Sequence, residues 1–255
     1  RAACHLASAT RLKDVLVCST VFTPRPPRQL TKLEKVMRAS AAPIVDEPNA
    51  GGSSDQSEMV SFAMVKVLFD ARLLATEMAV TYDWANSKKI DYLCAAGDTR
   101  LGVSVTRAYR HQATFDEVDA LHLLVKKLHG LWKARTLVCD RHAWDLGVLH
   151  IWCHSATAAD LIAKQLQDRR NRAVWPLRLF DLANMPPPLV ILTVTSSIDH
   201  VIFHNAQWRD VPRDVGRRFV DARRRAARTR QAQYAALAPH RWAPPAVPAR
   251  LAYFR

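Results

Sequence analysis

Glycine is scarce in this chain, with seven in 255 residues. No G-x-x-x-x-G-K-[ST], G-x-G-x-x-G or G-x-S-x-G occurs. The loops that cradle nucleotide phosphates need such glycines for close backbone approach, so that class is disfavoured. Long apolar runs are lacking too. The longest, Leu189 to Phe203, is broken by Thr193, Thr195, Ser196, Ser197, Asp199 and His200. Crossing a bilayer takes about 20 predominantly apolar residues, so no transmembrane helix is expected. Cysteines are few and odd in number (Cys4, Cys18, Cys94, Cys139, Cys153), and three lie in apolar, strand-like surroundings. They predict buried free thiols in a reducing compartment rather than a disulfide framework. Ser, His and Asp are present, but in no arrangement that sequence alone joins into a triad.

What is abundant is positive charge, and it is unevenly spread. Residues 1–50 carry eight Lys/Arg against four acids, residues 207–255 twelve against three, and residues 51–206 seventeen against sixteen. The formal charge of +14 therefore sits in the ends. A neutral core with basic arms predicts a subunit embedded in a larger anionic or multi-protein assembly. The first twenty residues are rich in Arg, Ala, Ser and Thr with Asp14 as their one acid, a composition that fits the remnant of an organellar transit peptide or a fragment boundary.

Three segments follow: residues 1–56 as an N-terminal extension with a Pro/Gly/Ser linker, 57–206 as a core domain, and 207–255 as a basic helix and extended tail. Pro24, Pro26, Pro27, Pro43 and Pro48 mark the linker. Within the core, apolar residues recurring at three and four predict a helix from Ser57 through Met78. Strands are expected over 90–95 and 101–107 around a turn at Gly97-Asp98-Thr99. Thr114 and Glu117 form a capping-box pattern for a helix stopping near Gly130. Residues 134–139 and 146–153 read as strands, Ser155 caps another helix, and Leu189–Thr195 reads as an interior strand with both faces covered. Val201–Phe203 is a candidate edge strand. The sum is an α/β fold: a single domain with a central mixed sheet flanked by helices.

A helix carrying Glu77, then Asp91 entering a strand, then a hairpin partner with alternating apolar residues resembles the PD-(D/E)XK, restriction-endonuclease-like nucleases. That resemblance covers roughly residues 57–206. It implies a helical Glu, a strand Asp and an acid-x-Lys pair on the next strand, holding divalent metal and activating water. Glu77 and Asp91 match. The acid-x-Lys position falls on Ser104 and Thr106, which can neither ligate as a carboxylate nor offer a cation. Arg107 lies on the opposite face by strand alternation. The implied site is vestigial, with no catalytic residue, no metal and no cofactor expected. Glu77 then reads as a solvated helix carboxylate and Asp91 as a strand-start acid in a local salt bridge with Lys88 or Lys89, and a surviving metal site would need other ligands such as Asp98 or Asp116.

His150, Cys153 and His154, with Cys139 and His142 upstream, are zinc-type ligands without the usual paired spacing and read as core and surface residues. The richer signal is C-terminal. Arg217, Arg218, Arg223, Arg224, Arg225, Arg228 and Arg230 fall on an expected helix, and every base beyond 207 is Arg. The planar guanidinium suits phosphate and carboxylate. Arg241 and Trp242 lie in a proline-rich extended stretch, and Trp242, Tyr253 and Phe254 would anchor a partner surface. These residues predict sequence-independent RNA or partner binding.

The expected function is a non-enzymatic structural subunit of a mitochondrial, matrix-side assembly. In this reading it is a mitochondrial ribosomal protein whose arms bind rRNA and neighbouring protein subunits. One alternative is an accessory subunit of a respiratory-chain or ATP-synthase complex, with the arms on protein neighbours and anionic lipid headgroups. Another is a metal-dependent nuclease with atypical ligands.

Overall fold

The computed structural model describes residues 37–47, 54–110, 113–168, 185–195 and 198–204, together with the backbone of 3–12 and 15–23. The Arg-rich segment and the C-terminal aromatics therefore lie outside the described residues. The strands are β1 (Ala3–Leu12), β2 (Val15–Thr23), β3 (Arg72–Thr76), β4 (Tyr92–Ala96), β5 (Thr99–Ala108), β6 (Leu146–Cys153) and β7 (Leu189–Val194). The helices are α1 (Ala42–Asp46), α2 (Asp55–Phe69), α3 (Glu117–Leu137), α4 (Ala156–Gln167) and α5 (Asp199–His204). The strands form one mixed sheet in the order β1-β2-β7-β6-β5-β4-β3. Its centre, β2-β7-β6-β5, is parallel, and both edges are antiparallel.

Parallel neighbours require crossovers, and α3 and α4 supply them between β5, β6 and β7. Both pack on one face of the sheet, where Leu124, Leu128, Ile162 and Leu166 meet Leu149, Ile151, Val190 and Leu192. The other face is covered by α2 and α5, with Met59, Phe62, Ile198 and Ile202 against Tyr92, Val103, Trp152 and Ile191. Covering on both sides is why β6 and β7 are almost continuously apolar.

Within residues 57–206, four elements differ from the sequence expectation. The first helix ends at Phe69, because Asp70 takes a left-handed conformation (φ 53°), and Arg72–Thr76 is a strand. Glu77 therefore follows a strand and is not helical. The long crossover helix runs past Gly130 to Leu137, and 134–139 is not a strand apart from a single bridge between Val138 and Tyr82. Its stripe of Leu124, Leu128, Leu131 and Ala134 continues unbroken, so burial outweighs the glycine's entropy cost. The cap of that helix is Asp116, whose carboxylate accepts from Val118 and Asp119 N–H, both at 2.9 Å. Asp119 closes the box, so Thr114 and Glu117 do not. Val201–Phe203 lies in α5, with all three residues buried against α2.

Residues 3–23 were expected to belong to an extension. Instead β1 and β2 form an antiparallel hairpin, and β2 pairs in parallel with β7 from Leu16↔Leu189 to Val21↔Val194. The β-branched run from Val15 to Thr23 completes the ladder that β7 would otherwise leave open.

Gly130 has open space where a Cβ would stand. Gly130→Ala is expected to stabilise the protein by about 0.5–1 kcal/mol, since helix entropy improves with nothing displaced. Chemical denaturation checks it.

Candidate functional site

Asp91 stands just before β4, where the hairpin partner β5 offers its backbone. Its own N–H donates to Val103 O (2.9 Å), and its Oδ2 accepts from Val105 N–H (2.5 Å). Enclosure raises the Asp91 carboxyl above its ordinary value, against the Lys127 ammonium and the Val105 N–H, which pull it down. Ser104, next along β5, also pulls the carboxyl's pKa down. Lys127 comes from α3 and donates to Val105 O at 3.3 Å, so its cation sits over the same stretch of β5.

A second acid approaches from α2. Glu58 is buried, and its carboxyl is pushed up to about 7, first by burial and then by the Asp91 charge. Glu77 adds its field to both. Arg107 is held on the α2 side of the sheet, where its guanidinium donates to Ser57 Oγ (3.3 Å). Burial lowers its pKa, opposed by Glu58 and Asp55.

The structure thus brings Glu77, Asp91 and Ser104 into one electrostatic neighbourhood, and adds Glu58 and Lys127. Sequence reasoning missed these two. Glu58, in the first helical turn, reads as a residue complementing the helix dipole, and Lys127 reads as the polar flank of an amphipathic helix. Thr106 lies further along β5, paired with Ile151. The cation serving Asp91 is Lys127, whereas Lys89 Nζ lies 3.4 Å from Met78 Sδ. Asp98 is exposed in the hairpin turn and Asp116 is occupied as a helix cap.

The nuclease resemblance implies a divalent metal held by carboxylates. Among the described residues no group of three or more His, Cys, Asp and Glu is placed to hold one. The Asp91 carboxylate is engaged by Val105 N–H, and Glu58 keeps its proton up to about pH 7. These residues do not fit a preformed carboxylate cage.

The histidine and cysteine motif separates. His150 is fully buried, with Nδ1 2.7 Å from Ser61 Oγ and Nε2 2.9 Å from Thr193 Oγ1. Ser61 Oγ also meets Tyr92 Oη at 2.8 Å, so a polar chain links α2, β4, β6 and β7 through the core. Burial lowers the imidazole to about 3, which keeps it neutral. Cys153 is a buried free thiol, and His154 is exposed beyond the strand end, 3.8 Å from Asp199. His142 Nδ1 accepts from Thr81 N–H, and Cys139 Sγ donates to Asp83 Oδ1.

No family model matches this chain, and no solved structure matches it. Among curated proteins, the AAC-rich mRNA clone AAC4 protein of Dictyostelium discoideum is similar. The two are 35% identical over 130 residues, which is 48% of this chain and 19% of that protein. The chain thus spans about a fifth of that relative's length. No helix among the described residues is long and apolar enough to cross a membrane.

Proposed function

We propose that this chain is a non-catalytic subunit of a large ribonucleoprotein assembly, attached by its Arg-rich C-terminal segment. The observation that carries the reading is the state of Asp91. Its carboxylate accepts from the protein's own Val105 N–H and lies beside the Lys127 cation, while the next acid and lysine positions are Ser104 and Thr106. The acid works as a structural brace at the hairpin. The surplus charge lies elsewhere, in Arg217, Arg218, Arg223, Arg224, Arg225, Arg228 and Arg230, a residue type suited to phosphate. Threading between rRNA phosphates in an organellar ribosome uses such a segment, and neighbouring protein subunits would take Trp242, Tyr253 and Phe254. The acid-poor residues 1–20 are the support for a mitochondrial, matrix-side location. Of these, residues 3–12 and 15–20 pair into the sheet.

Sedimentation of the native protein tests the proposal. Co-sedimentation with a large particle that RNase disperses is expected. Sedimentation as a small species, or in a particle indifferent to RNase, rejects it. With Mg²⁺ or Mn²⁺ and a nucleic-acid substrate, no cleavage above that of Asp91→Ala is expected. Metal-dependent cleavage lost in Asp91→Ala would make the chain an enzyme.

A further inference from the structure

The turn between β3 and β4 and the C-terminal half of α3 line a groove of about 650 Å³, apart from Glu58, Glu77 and Asp91. Two tryptophans line it. Trp84 is 72% exposed on the turn, and Trp132 faces it from the helix. Both are held in place. Ser87 N–H and Oγ donate to Trp84 O (3.0 and 2.6 Å), fixing the turn, and His129 stacks on Trp132 at 6.0 Å with 13° between the planes. The two walls are tied to each other, since Asp83 N–H donates to Leu137 O (2.9 Å) and Cys139 N–H donates to Thr81 O (3.1 Å). The Trp132 indole N–H is buried and has no acceptor among the described residues.

Charge sets the occupant. Lys88 and Lys133 flank the groove against one lining acid, Asp83, whose Oδ1 already accepts from Cys139 Sγ. From Ala120 to Leu137, α3 carries Lys126, Lys127, Lys133 and Arg135 and no acid, although the core as a whole is nearly neutral. Asn86, Ser87 and Thr136 supply hydrogen-bonding groups between the rings. The Ser87 and Thr136 hydroxyls already donate to backbone carbonyls and keep acceptor capacity. An apolar protein ligand would leave that capacity, the Asn86 amide and the two ammoniums unused. A strand with free bases satisfies each: a base face on the Trp84 indole, phosphates on the lysines, base edges on the amide and hydroxyls.

We propose that this groove binds single-stranded nucleic acid, with one base stacked on Trp84 and the flanking phosphates on Lys88 and Lys133. The site stands apart from the Arg-rich segment and does not depend on it. That segment contacts phosphates and serves single and double strands alike, whereas stacking on Trp84 requires an unpaired base.

Fluorescence anisotropy on the full chain tests it, with labelled single-stranded oligoribonucleotide and oligodeoxyribonucleotide of about twelve nucleotides and the matching duplexes. Trp84→Ala is expected to weaken binding of at least one single strand about tenfold and to leave duplex binding unchanged. Lys133→Gln is expected to flatten the salt dependence on that strand by about 0.7 in log–log slope. The difference between RNA and DNA identifies which of the two is the ligand. Equal affinity of Trp84→Ala and parent for both single strands overturns the proposal, as does an equal loss on duplex. A Trp84→Ala chain that drops a co-purifying protein while binding oligonucleotide normally assigns the groove to a protein and overturns it too. Failure of the RNase test would leave these outcomes untouched.

Discussion

Gly102→Ala is expected to destabilise this protein by about 3 kcal/mol or more, near the upper end of overpacking costs. A Cβ on Gly102 would stand 2.4, 2.5 and 2.7 Å from Cδ2, Cε2 and Cγ of Trp144, inside any real carbon contact. Neither side can yield easily. Trp144 is one of the largest fully buried side chains, and Gly102 lies mid-strand in β5, hydrogen-bonded between β4 and β6. Its parallel partner is Gly147, whose added Cβ would meet Leu131 Cδ2 at 2.9 Å. The two glycines therefore form a shallow seat across adjacent strands, on which Trp144 and Leu131 rest. Urea denaturation of Gly102→Ala measures the cost. Gly102→Ala combined with Trp144→Leu should recover part of it, because the smaller ring-free side chain removes the clash. A single variant within 0.5 kcal/mol of the parent, in the sense of about no change, would mean that the seat does not exist.

That seat shows how far the sequence could be read. The strands at 92–96, 99–108, 146–153 and 189–194 were visible because alternation or β-branched runs bounded by turn residues mark strands whatever surrounds them. β3 was hidden. Leu73, Leu74 and Met78 continue the three-and-four spacing of α2, and the break between them is Asp70, neither glycine nor proline, so nothing local announces it. The hairpin at 3–23 was masked by composition: its Ala, Ser and Thr content with a single acid, Asp14, matches a transit segment, and the partner of its apolar β-branched run, β7, lies about 170 residues along the chain. The site was half legible for the same reason. Asp91 and Ser104 are neighbours across a hairpin, which local sequence can indicate. Glu58 and Lys127 reach Asp91 only through packing of α2 and α3 on opposite faces. A coarse α/β domain follows from pattern; which charges meet does not.

The meeting of those charges gives the second large effect: Glu58→Gln is expected to stabilise the protein at pH 8 by about 3 kcal/mol. The Glu58 carboxyl is raised from 4.5 to about 7 by burial and by Asp91. A raised acid binds its proton more tightly in the folded state, so its contribution is fully present below about 4.5 and is lost as the pH climbs to 7. Glutamine mimics the protonated form at every pH, keeps the reach to Ser54, and removes the repulsion on Asp91. His150 works in the opposite direction. Its imidazole is lowered from 6.5 to about 3, so its contribution is present above 6.5 and drains away as the pH falls. Between about 4.5 and 6.5 the two slopes oppose each other at about 1.4 kcal/mol per unit each, and their combined contribution to the parent's stability should be nearly flat there. With Glu58 gone, its descending limb is removed, so the variant's stability relative to the parent should rise with pH across that window. Asp199 and Asp91 are also raised by burial and present in both proteins; Asp199 cancels in the difference, which therefore reports Glu58 together with its coupling to Asp91. Parallel denaturant titrations of parent and variant from pH 4.5 to 8 decide it. Two curves that run parallel would mean that Glu58 is ionised in the fold, and that the Asp91 hairpin tolerates a second buried charge beside it.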